Sequence, residues 1–279
     1  GLVFSLVDAN TNKSVKLETI QNILNTTPLL SGQQISLLFE LSVWYGVSPS
    51  VLIKMALPPL QKSKIKKLLL KRLKASFPLL RRGEGQGEVS SPLAIAFNQY
   101  HDQSEHKTKL TKHIKNRTLI LAPEVNLIEE IRQLLPKELQ EKTTIWHSEL
   151  SQKQQFANWL EIRNQEKEIV IGTRSAVFLP LDGFKSIIID YEHDENHKHW
   201  DQAPRFHVKD VIEKLNIPTT LLSFSPSAAS YYHVHKKNYR GNLKLIPTKN
   251  AQIVGMSAER LGGNYGALAE ETKQAITDA

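Results

Sequence analysis

The sequence predicts an α/β fold, a mainly parallel sheet with helices on both faces, preceded by a smaller and mostly helical segment. Three observations carry this. From about Ser91, short apolar runs at Leu93–Phe97, Leu119–Ala122, Thr144–Trp146, Ile169–Ile171, Ile187–Ile189 and Thr220–Ser223 alternate with helical stretches at Asn126–Leu135, Ser151–Asn164 and Phe206–Leu215. The clearest of the runs are apolar throughout rather than at every second residue, as strands buried on both faces are. Two of them stop abruptly in polar residues, Gly172-Thr173-Arg174-Ser175 and Asp190-Tyr191-Glu192-His193. Those are carboxyl ends of strands, where open α/β sheets take their ligands.

Taken in order, Gln34–Tyr45 has apolar residues at i+3 and i+4 spacing and predicts a helix ended by Gly46. Ser48-Pro49 opens a second helix that runs to Ala56-Leu57-Pro58-Pro59. Trp44 and Tyr45 are expected in the core. From Lys62 to Arg82 there are nine Lys or Arg and no acid, interrupted by Leu68, Leu69, Leu70 and Leu73, which predicts a basic amphipathic helix. Arg81-Arg82-Gly83-Glu84-Gly85-Gln86-Gly87 then reads as a flexible linker.

The 279 residues suffice for one large or two modest domains, and the net charge of +8 favours a polyanionic partner, most simply nucleic acid. There is no cysteine, which excludes disulfides and thiolate zinc sites. No apolar run reaches the ~20 residues of a membrane span and no signal peptide is visible, so a cytoplasmic protein without membrane partners is expected. The chain opens on Gly1 rather than Met, which reads as a fragment.

Six motifs then point one way. Leu121-Ala122-Pro123-Glu124-Val125 resembles L-V-P-E-I, and Trp146-His147-Ser148-Glu149-Leu150-Ser151 resembles H-S-x-L-S. Residues 172–180 match G-T-R-S-A-x-F-x-P, and Asp190–His193 stands for D-E-E-H. Phe206–Asp210 stands for Y-x-x-R-D and Ser223–Ser227 for S-A-T-P-S. In this order they resemble the primosomal replication-restart helicases of the PriA type, over roughly residues 27–279 and most densely from Leu119 to Ser230. The resemblance implies a partial N-terminal DNA-binding module over 1–60, a basic helix and linker over 61–90 in place of a winged-helix domain, a RecA-like first helicase lobe over 91–230, and over 231–279 a passage toward a missing second lobe. It also implies ATP with magnesium as cofactors, forked or single-stranded DNA and other replication-restart proteins as partners, and 3′-to-5′ unwinding at stalled forks as the family activity.

The chemistry is expected to be degenerate. Where the family has the P-loop G-V-T-G-S-G-K-T, this chain has His101-Asp102-Gln103-Ser104-Glu105-His106-Lys107-Thr108. Lys107 and Thr108 keep the register, but the glycines that let backbone amides approach a triphosphate are gone. An ordinary polar helix or loop is the favoured reading over a disguised P-loop. Asp190 corresponds to the magnesium partner, should nucleotide bind. Tyr191 replaces the catalytic carboxylate, and a phenol with an ordinary pKa near ~10 is a poor base at neutral pH. Glu192 and His193 complete the motif, so the chain is expected to lack ATPase activity.

Thr173, Arg174 and Ser175 correspond to positions that contact the single-strand backbone in related motors. In the basic run, Lys62, Lys64, Lys66, Lys67, Lys71, Arg72 and Lys74 can grip phosphates nonspecifically or form a solvated face. Two other functions stay open: an active ATPase fragment of a longer helicase, and a metal-dependent hydrolase using His193 and His197, whose i, i+4 spacing suits one metal only if the stretch is helical. A loop is favoured there, and His147 and Ser148 read as structural residues at a strand end.

Overall fold

Ser31 and Ser48 begin the fold by accepting the amides of Gln34 and Ser50, which caps helices Gly32–Tyr45 and Pro49–Ala56. Gly46, at φ 61°, closes the first in a left-handed turn that a Cβ would strain. The computed structural model describes residues 29–58, 95–241, 243 and 255–277. The basic run containing Lys62, Lys64, Lys66, Lys67, Lys71, Arg72 and Lys74, and the linker after it, lie outside the described residues. Two compact units divide the chain, Gly1–Leu243 and Lys244–Ala279.

The first unit is built on six parallel strands: β1 (Ile95–Gln99), β2 (Thr118–Leu121), β3 (Thr143–Trp146), β4 (Ile169–Gly172), β5 (Ser186–Ile189) and β6 (Thr219–Ser223). Their spatial order is β1-β6-β5-β2-β4-β3. Pairing with β6 carries β1 through Asn98 and Gln99, past the predicted end at Phe97, in the register Gln99↔Ser223. The other five strands lie within one residue of their predicted spans.

Alternate residues of the strands feed two cores. Leu119, Leu121, Val170, Ile187, Ile189 and Leu221 pack with helices Gly32–Tyr45, Pro49–Ala56, Gln152–Arg163 and Val208–Leu215. Ile120, Ile169, Ile171, Ile188 and Leu222 pack with helices Gln103–His113 and Val125–Leu134 through Leu110, Ile128 and Ile131. Helices cover both faces, as in a RecA-like lobe.

The N-terminal helical pair docks on the first of these cores. The Trp159 indole donates to the Ala56 carbonyl at 3.0 Å, and Gln34 Nε2 to the Phe178 carbonyl at 2.9 Å. Trp44, expected inside, is 67 % exposed. The helix turns Leu38, Leu41 and Ser42 inward, which leaves Trp44 on the outer side, where the Lys214 ammonium lies 4.8 Å from its ring centre. The Tyr45 hydroxyl reaches Asp210 Oδ2 at 3.2 Å.

The second unit has helices Met256–Leu261 and Glu270–Thr277. The Glu270 amide joins them by donating to Glu259 Oε2 at 3.1 Å, and Asn264 Nδ2 donates to the same carboxylate oxygen and to the Leu268 carbonyl. Among the described residues no helix is long and apolar enough to cross a membrane.

Candidate functional site

Gly172 closes β4 against its neighbour so tightly that a Cβ there would sit 2.6 Å from the Trp146 carbonyl and 2.8 Å from Ala176 Cβ. Crowding, not a positive φ, is therefore what requires glycine. Gly172→Ala is expected to cost about 1–3 kcal/mol by overpacking, measurable as a lower urea midpoint with unchanged m-value. Just beyond, Thr173 is buried and its amide donates to the Trp146 carbonyl at 3.1 Å, while Arg174–Phe178 form a short 3-10 helix.

Thr173, Arg174 and Ser175 line one groove of about 820 Å³ at the carboxyl edge of the sheet, with Asn126, Asn196 and His199 among its other walls. Arg174 Nη1 donates to the Asn196 carbonyl at 3.3 Å, and Asn196 Nδ2 donates to Glu124 Oε1 at 2.7 Å. These bonds tie the segments after β2, β4 and β5 together. The groove also contains Glu124, Glu149 and Asp201, so it is polar and mixed in charge. An adjoining cavity of about 510 Å³ shares Met55, Ser148 and Ser175 and adds Lys54 and His147. Burial pushes the His147 imidazole below its ordinary pKa, partly offset by Glu149.

The expected nucleotide residues occupy a different corner, where helix Gln103–His113 meets the end of β5. Residues 103–108 are helical, with Lys107 and Thr108 exposed and the Thr108 hydroxyl donating to the Ser104 carbonyl at 2.8 Å. Asp102 caps the helix by accepting from the Glu105 amide at 2.8 Å. Glu105 Oε2 reaches back to the His101 amide at 3.0 Å, an arrangement akin to a capping box. The Lys109 ammonium joins Glu105 to the Gln99 carbonyl at the end of β1.

One turn in, His106 Nε2 lies 2.9 and 2.8 Å from the two Asp190 oxygens, with His106 3 % and Asp190 0 % exposed. The Tyr191 amide also donates to Asp190 Oδ1 at 3.0 Å. Tyr100 stacks on His106 at 4.2 Å between ring centres, and Tyr191 packs edge-on at 5.6 Å. Neither His106 nor Lys109 was legible as a residue of this corner; the sequence signal was a ring and a cation in the stretch His101–Thr108 and just after it.

Tyr191 has φ 50°, a left-handed conformation uncommon for a bulky residue. It carries the Glu192 amide to the Leu222 carbonyl of β6 at 3.0 Å and sends the side chain away from Asp190. There Glu192 accepts from Ser227 Oγ at 2.5 Å, Ser230 Oγ at 2.6 Å and the Ser227 amide at 3.1 Å, and pairs with Lys209. Burial pushes the Glu192 carboxyl up, but the Lys209 charge and these hydrogen bonds outweigh it and hold it below its ordinary value.

His193 Nδ1 and Ser223 Oγ are 2.6 Å apart, and because that hydroxyl donates to the Ser225 carbonyl, the ring must be the donor. His197 Nε2 instead donates to the Asp190 carbonyl at 2.8 Å, and burial pushes this ring down to about 4. The two rings thus serve separate partners, in a stretch whose only helical piece is the 3-10 turn Glu195–His197. Among the described residues no group of three or more potential metal ligands occurs.

The chain is similar to replication restart protein PriA of Helicobacter pylori, 35 % identical over 52 % of this chain and 25 % of that protein. It is similar to PriA of Synechocystis at 31 % identity, over 57 % of this chain and 21 % of the relative. The match to PriA of Rickettsia typhi is 25 % identical but covers 95 % of this chain and 43 % of that protein. No family model matches. The chain spans about a quarter of the length of the first two relatives. The likeness to PriA-type replication-restart proteins read from the six motifs is present along nearly the whole chain.

Proposed function

We propose that this chain is a cytoplasmic replication-restart protein of the PriA kind that binds forked or single-stranded DNA through the groove at the carboxyl edge of its sheet and turns over no ATP. The observation that carries the reading is the convergence of Thr173, Arg174 and Ser175 on one groove, with Arg174 anchored across it to the segment after β5. Mixed charge in the groove argues for a strand held by a few phosphate contacts and by stacking rather than by a cationic trench. Trp200, half exposed between the groove residues His199 and Asp201, offers a ring for stacking, with Lys198 over it at 3.9 Å. The basic run from Lys62 to Lys74 supplies a second, nonspecific contact.

Fluorescence anisotropy with single-stranded and forked oligonucleotides at several salt concentrations tests this. Arg174→Ala is expected to weaken binding by about 3–10-fold and to reduce the salt slope by about 1. A wild-type chain with no salt-dependent affinity for either DNA would end the proposal.

A further inference from the structure

The fold family implies magnesium and a nucleoside triphosphate where helix Gln103–His113 meets β5, and the residues there do not fit them. Magnesium needs a near-octahedral shell and keeps several waters, so its carboxylate partner must be reachable. Asp190 is wholly buried, and its oxygens already take the His106 ring and the Tyr191 amide. A triphosphate needs main-chain amides open at the helix start. Here the Asp102 and Glu105 carboxylates accept from the Glu105 and His101 amides.

We infer that this corner is self-ligated: Asp102 and Glu105 stand in for phosphate oxygens at the helix start, and the His106 ring stands in for the metal at Asp190. The arrangement reproduces the polarity of a loaded site, with one acceptor on the helix amide of Glu105, a second on the His101 amide just before the helix, and a donor facing the aspartate. Its consequence reaches the groove. The Asp190 carbonyl accepts from His197, Asp194 caps the turn that holds Asn196, and Asn196 meets both Arg174 and Glu124. By clamping Asp190, His106 holds the Asp190 end of this chain of bonds, which runs to the groove.

The inference stands apart from DNA binding, because its test needs no DNA. Thermal unfolding with and without millimolar manganese is compared for wild type, His106→Ala, His106→Asn and His106→Ala/Asp190→Asn. Wild type should not respond to manganese. His106→Ala should melt roughly 5–10 °C lower, from a buried carboxylate left with only the Tyr191 amide as donor, His106→Asn should melt lower by a smaller margin, and manganese should restore part of each loss. The double variant should show no restoration. His106→Asn keeps a polar group and stays measurable if the alanine variant does not fold. Manganese that stabilises wild type as much as the single variants, or that stabilises no folded His106 variant, overturns the assignment.

Discussion

Glu192→Ala is expected to lower folding stability by about 3–5 kcal/mol, measured by urea denaturation. The carboxylate is fully buried and gathers Lys209, Ser227 and Ser230 around it. Removing it leaves a largely buried ammonium with only the Ser227 and Ser230 hydroxyls, at 3.4 and 3.3 Å, and no counter-charge to offset its desolvation. Lys209→Met in the same background should recover part of the loss, since the orphaned charge goes with it.

Acid tests the same network. The folded carboxyl sits below its ordinary value, so the stability it contributes is complete above the unfolded pKa of ~4.3 and is lost as pH falls through the folded one. The gap between wild type and Glu192→Gln should therefore be widest near neutrality and should close in strong acid. A gap that is constant with pH would place the contribution in packing alone.

With magnesium and forked DNA present, phosphate release from ATP is expected to stay at background, against the 1–10³ s⁻¹ typical of enzymes. Two independent features support this. Lys107, the residue in register with the P-loop lysine, lies exposed on a helix, while His106 faces Asp190. Tyr191 stands where the resemblance to restart helicases implies a water-orienting carboxylate, and burial with the Asp190 and Glu130 charges pushes its phenol above the ordinary value, further from serving as a base at neutral pH. ATP should likewise leave DNA affinity unchanged. Turnover that DNA stimulates and Asp190→Asn abolishes would refute both statements.

Much of the fold was legible in the sequence because the strands are short and largely apolar, and some of the helices between them have capped starts. Ser151 and Gln154 form a complete capping box, as a Ser-x-x-Gln spacing leads one to expect. The Thr173–Ser175 segment was legible for a related reason: it follows directly from a strand end, so local order along the chain places it. Trp44 was misplaced because an aromatic residue in a helix gives no sign of which side a neighbouring body covers.

The sequence by itself determined the alternation of strand and helix, a run from His101 to Thr108 without glycine, a tyrosine directly after Asp190 and the likeness to replication-restart proteins, since each is a matter of residue type and order. Tertiary structure alone decided that His106 rather than Lys107 meets Asp190, 84 residues away, and that Glu192 turns toward Ser227 and Ser230. The physical reason is that a side chain's partner depends on which face of a helix the core covers and how the backbone leaves a strand. Leu110 in the core and the left-handed Tyr191 set those two directions, and neither is written in any local pattern.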